Sequence, residues 1–235
     1  MKQQPKIDSI MVYLLLFTVV LLGGFLAFQL QEKDRQLVKL LLSFSGAYLL
    51  SIIVFHLLPG IYERIPGKTA GFFIMMGIVF QLILELFSHG AEHGHKHSFD
   101  TKAPWLLFVS LSLHAFMEGL PINEGHHLHH SYLYGILIHK LPIAIVLTTV
   151  MIEAGLSKKK ITLFLLLFAS MSPLAAFVGD YFDFMLTYGA YVNAFVAGIL
   201  AHIGTTILFE NEHSHSFNIR KFLLIFSAML IAYLT

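Results

Sequence analysis

Eight long apolar runs alternate with short polar loops along the whole chain. They fall at about 9–29, 37–58, 69–89, 104–121, 131–154, 161–179, 188–209 and 217–234. About 20 apolar residues at ~1.5 Å rise cross the ~30 Å hydrocarbon layer. The runs are continuous rather than alternating, which predicts helices and not the strands of a barrel. The expected fold is an all-α polytopic membrane protein of eight transmembrane helices, with residues 1–235 as a single transmembrane domain. The first run does not read as a cleaved signal peptide, because Gln29-Leu-Gln-Glu-Lys follows Phe28 where a small-residue cleavage site would stand.

Composition agrees. The chain is 57% hydrophobic and 12% charged, against about a quarter charged in a soluble domain. Membrane lipid is therefore an expected partner, and a net charge of +1 argues against nucleic acid. Cysteine is absent, so neither disulfide nor thiolate chemistry is on offer.

Lysine and arginine set the expected orientation. The loops after runs one, three, five and seven, with the run ends beside them, carry ten of them, the other side only four, and Lys140 lies inside run five. Both termini are thus expected outside, and the His-rich loop at 90–103 in the cytoplasm. Small residues cluster at Gly46 and Ala47, at Ala175, Ala176 and Gly179, and at Ala194, Ala197, Gly198 and Ala201. Such spacing lets helices approach closely. Packing within the bundle is the expectation, and a homodimer face the alternative.

Of the ionisable residues that interrupt this apolar pattern, three say the most. His114 and Glu118 fall in run four and His139 in run five. An ionisable group at bilayer depth costs several kcal/mol unless it faces a protein interior, so it marks a functional site by default. His114 and Glu118, four residues apart, share a helix face, and His139 can meet them from the next, antiparallel helix. Imidazole with carboxylate suits Zn²⁺, Fe²⁺, Mn²⁺, Co²⁺ or Ni²⁺ better than Cu(I). Pro142 deprives the Ile138 carbonyl of its helical N–H, so it is expected to kink run five and to free a carbonyl beside the site. The alternative is a set of interhelical hydrogen bonds with a purely structural role.

The chain resembles the ZIP family of divalent-metal transporters. The likeness starts at Ser43-Phe-Ser-Gly46 and continues to His56-Leu-Leu-Pro59, which looks like the family's second helix. A His-rich loop follows run three. His114-x-x-x-Glu118-Gly119 and His139-x-x-Pro142 match the family's paired signatures. Ser172-Pro173 with Gly179, and Ala197-Gly198 through Phe209-Glu210, extend the likeness to the later runs. The resemblance implies a ZIP-like bundle and transport of a metal ion into the cytosol by alternating access. It makes zinc the expected cargo, with iron and manganese as alternatives. It implies no resident cofactor and no enzyme activity.

Three departures from the family pattern matter. Ala115 stands where an Asn ligand of a second metal is usual, Lys140 where an acid or amide follows the first ligand of run five, and Ile143 where a further ligand stands. The carry-over is therefore confined to His114, Glu118 and His139 as one metal site. Lys140 is expected to take the volume of the second ion and to pair with Glu118. A fourth ligand is sought in His56 or His202, or in water. His56, near the outer end, also reads as an outer ligand, and each of the two has the alternative of a satisfied core histidine.

The remaining histidines lie in loops. His126, His127, His129 and His130 follow run four on the expected outer side, where they would capture metal loosely. His89, His93, His95 and His97 lie on the inner side, and His213 and His215 form a smaller pair. Such tracts bind metal through composition, without fixed geometry. Glu85 reads either as a lining of the inner exit or as a snorkelling carboxylate. Two rival functions remain. One is a membrane metal sensor that does not transport, motivated by the lost ligands. The other is an intramembrane metal-dependent hydrolase, for which no separate general base is visible. Small size and Lys-rich loops fit a bacterial inner membrane.

Overall fold

The computed structural model describes residues 7–30, 35–88, 103–124, 127–128, 130–182, 184–209 and 219–235. The helices are α1 (Ile7–Gln29), α2 (Arg35–Ile52), α3 (Leu58–Arg64), α4 (Gly67–Ser88), α5 (Ala103–Gly119), α6 (His130–Glu153), α7 (Lys158–Tyr181), α8 (Phe184–Phe209) and α9 (Ile219–Leu234). A π-turn at Ile53–Leu57 welds α2 to α3. The described residues thus form eight rods, one for each predicted run. Seven are long and apolar enough to cross a membrane. The last, α9, has 16 described residues, a length of about 24 Å, and lies against α2.

One boundary differs from expectation. The second rod does not stop before Pro59 but runs on to Arg64. A proline inside an α-helix clashes with the carbonyl four residues earlier. Here the π-turn, in which the Leu58 N–H reaches the Ile53 carbonyl, loosens that stretch, and Pro59 falls in the first turn of α3. A further small departure is a two-residue antiparallel ladder, Asn123–Glu124 with His127–Leu128, between α5 and α6.

The rods sort into two packed groups. In one, α1 lies against α6 and α7, and α5 against α7; in the other, α2 lies against α8 and α9, and α4 against α8. The groups meet mainly where α2 touches α6 and α4 touches α5. Glycine sets the closest approach. A Cβ on Gly77 would stand 1.9 Å from the Phe195 carbonyl oxygen, and one on Gly198 1.9 Å from that of Ile74, so α4 and α8 touch backbone to backbone. The small residues of the seventh run therefore serve packing within the bundle, as expected.

Two apolar clusters fill the interior. Val12, Leu49, Ile52, Ile122, Tyr132 and Ile136 belong to the first. Leu107, Leu111, Ile143, Leu147, Leu165 and Phe168 belong to the second. Along α5 and the turn after it the change falls between Ala115 and Ile122, and on α6 between Ile136 and Ile143. Glu118, His139 and Lys140 occupy those two gaps, and His114 lies one turn before Glu118, beside Ala115 of the second cluster.

Candidate metal centre

The centre is built by the facing segments of α5 and α6. His114, Glu118, His139 and Lys140 are each at most 2% exposed. Of His114, Glu118 and His139, each offers one donor atom within 4.8 Å of the others, the only such group among the described residues. Donors in a closed tetrahedral zinc site stand about 3.3 Å apart, given Zn–N bonds of ~2.0 Å. The set is therefore slightly open, and small side-chain movements would bring all three to one ion.

Bonding within the centre is incomplete. The Lys140 Nζ lies 2.6 Å from Glu118 Oε1 and 5.4 Å from the centre of the Phe168 ring. The second oxygen, Oε2, faces His114 Nε2 at 3.3 Å. That contact is too poorly directed to be a hydrogen bond, and among the described residues neither Oε2 nor either His114 nitrogen makes one. A buried polar atom without a hydrogen bond costs roughly 1–3 kcal/mol. A cation between His114 Nε2 and Glu118 Oε2 would use both lone pairs. The His114 and His139 rings stand nearly perpendicular, at 83°, with centroids 6.0 Å apart.

Neighbouring groups hold this geometry. Pro121 has no N–H, so α5 ends in a 3-10 turn at Leu120–Ile122. The Tyr132 hydroxyl of α6 donates to the Glu118 carbonyl at 2.9 Å, and the Ser172 hydroxyl of α7 donates to the Ala115 carbonyl. Gly119 rests on α7, where a Cβ would meet the Ser172 carbonyl oxygen at 2.7 Å. That glycine draws α5 to α7, whereas the imidazoles and the lysine fill the space between α5 and α6. The two site helices do meet, as expected, but α5 packs more extensively on α7.

The departures from the family pattern are plain in the packing. Ala115 and Ile143, at the two positions where further ligands would stand, are buried in the second apolar cluster. Pro142 lies inside α6, which continues across it to Glu153.

The structure does not bring His56 or His202 into the donor group. His56 sits in the π-turn, where its Nε2 donates to the Ala232 carbonyl at 2.9 Å. His202 on α8 lies 2.7 Å from Glu85 Oε2 on α4, each side chain about one-fifth exposed. Each of the two has a partner elsewhere in the bundle, and for His202 that partner is Glu85. His130 is exposed at the start of α6. His127 lies in the short ladder. His89, His93, His95, His97, His126, His129, His213 and His215 lie outside the described residues. Sequence reasoning overlooked Tyr132, and gave Ser172 only as part of the family likeness and not as a support of the centre. The available signals were that Tyr132 lies two turns before His139 on the same helix face, and that Ser172 precedes a helix-interior proline.

The family profile described as ZIP Zinc transporter matches residues 101–234, over half of the chain and the whole of this centre. No curated protein matches the chain.

Proposed function

This chain belongs to the ZIP zinc transporter family, and from that premise we propose that it moves one divalent cation at a time, zinc foremost, into the cytosol through His114, Glu118 and His139. The observation that carries this reading is the buried three-donor set, whose His114 nitrogens and Glu118 Oε2 lack hydrogen bonds. Iron and manganese are the competing cargoes. Both termini face outside, following the bias of lysine and arginine.

Lys140 stands in for a second metal. Its ammonium neutralises Glu118 while the site is empty of cargo, and an arriving dication competes with it for the carboxylate. A buried ion pair gains little net stability, because desolvation offsets attraction. The exchange of one cation for another is therefore feasible. With three protein donors, water completes the coordination, and the site holds the ion without trapping it as a closed four-ligand site would. Ligand protonation releases the ion, so uptake is linked to pH. The group of α1, α5, α6 and α7 carries the site as it moves against α2, α3, α4, α8 and α9. The seam between α2 and α6, and that between α4 and α5, must slide.

The test is uptake of Zn²⁺, Fe²⁺ and Mn²⁺ into proteoliposomes by the native chain and by His114→Ala, with folding checked by size-exclusion chromatography. Saturable uptake that the variant lacks supports the proposal and identifies the metal. A folded native chain that binds zinc but moves none would instead support the sensor reading, which the Lys140–Glu118 pair favours because it already satisfies half of the carboxylate.

A further inference from the structure

A second space, with a mixed polar and apolar lining, lies beside the centre. A cavity of about 340 Å³ is lined by His56, Arg64, Pro121, His130, Tyr132 and Asn193, among others. Its wall is shared with the metal centre. Pro121 follows Glu118 by three residues, and Tyr132 is the residue whose hydroxyl holds the Glu118 carbonyl. The volume admits a divalent ion with several of its waters, each of which takes ~30 Å³.

The two histidines come from separate elements. The π-turn presents His56 at this wall, and α6 begins with His130. The hydrogen bond from His56 Nε2 to the Ala232 carbonyl fixes the tautomer. In a neutral ring with Nε2 protonated, Nδ1 carries the lone pair, and a carbonyl partner on the other nitrogen is the usual support of a metal-binding imidazole.

We propose that this cavity is an outer metal station, where His56 and His130 hold an incoming divalent cation before it passes Tyr132 to the buried centre. Two imidazoles with water ligands bind a borderline metal weakly. The Arg64 guanidinium on the same lining opposes long residence of a dication. Both features suit a station that releases its ion inward. Its purpose rests on the transport reading above, but binding in the cavity does not require transport.

The absence of native cysteine makes a site-specific test available. Ala190 lines the same cavity, and Ala190→Cys would introduce a single thiol there. Labelling by a membrane-impermeant thiol reagent, added outside, is followed with and without Zn²⁺. The expected result is external labelling that Zn²⁺ slows severalfold, with protection lost when His56→Gln and His130→Ala are added. His56→Gln retains a donor for the Ala232 carbonyl while removing the imidazole, which guards against simple misfolding. Protection should persist in a His114→Ala background, so a chain that transports nothing can still show the station. In uptake, the two histidine substitutions should raise KM by about three- to tenfold with kcat unchanged. Labelling only from the cytosolic side, Zn²⁺ protection that survives both histidine substitutions, or protection by inorganic phosphate instead of Zn²⁺ would each overturn the proposal.

Discussion

Two histidine–glutamate pairs lie within the membrane-spanning helices, and they have opposite bonding states. His202 and Glu85 bridge α8 and α4 at 2.7 Å and satisfy one another. His114 and Glu118 share one helix, face each other at 3.3 Å without hydrogen-bond geometry, and are far more deeply buried. Residue type is identical. The difference is that the first pair spans two helices joined by close glycine contacts, whereas the second is held on a single turn with a lysine on its far oxygen. A buried pair that completes its own bonding is a strut. A buried pair that does not is, in the function proposed above, the receptor for an ion.

Five substitutions sharpen or break that contrast. The largest effect is expected from Glu118→Gln, which keeps shape but removes the anion that faces both Lys140 and the metal. Zinc uptake should fall at least ~100-fold, since a metal ligand and its charge are lost together. Glu85→Gln, assayed in parallel, should leave uptake within about twofold, and equal losses in the two variants would erase the distinction between strut and receptor. Next comes His114→Ala, for which zinc binding measured by calorimetry on purified protein should weaken ~10- to 100-fold. Lys140→Met follows. Removing the competing cation should tighten zinc binding by about tenfold, while leaving the buried carboxylate unpaired should destabilise the metal-free protein by ~3–5 kcal/mol. Thermal unfolding with and without zinc reads both effects, and a variant equally stable in the two states would count against the pairing. The smallest effect is that of His202→Gln, at about 1–2 kcal/mol of stability from a weakened charge-assisted hydrogen bond. The same melting assay measures it, with uptake unchanged.

Much of this was legible beforehand because bilayers impose simple rules. Eight apolar runs gave eight rods, and the four-residue spacing put His114 and Glu118 on one face. Lys140 beside His139 foretold its pairing with Glu118, since no other acid lies so deep in run four. Long-range packing was not legible. Nothing in the local pattern says that α5 leans more on α7 than on α6, because that depends on Gly119 meeting the Ser172 carbonyl. The partners of His56 and His202 lie 176 and 117 residues away along the chain. Periodicity cannot supply such pairings. The continuation past Pro59 was hidden for another reason: a π-turn has no strong sequence signature, and a proline normally reads as a stop.

The turn at Ile53–Leu57 also sets an angular phase. Each residue of an α-helix advances the chain by about 100°, so the extra residue in the π-turn rotates all of α3 relative to α2. That rotation is what lets Tyr48, Leu49 and Ile52 on one side, and Ile61 on the other, enter the same core. Deleting one residue there, such as the half-exposed Val54, would remove the extra residue and set Pro59 against the carbonyl four residues before it. It would also turn Ile61 out of the core and swing Arg64 away from the cavity. In this second helix, length is thus a form of information distinct from composition. A chain with the same residues but one fewer would address a different set of neighbours.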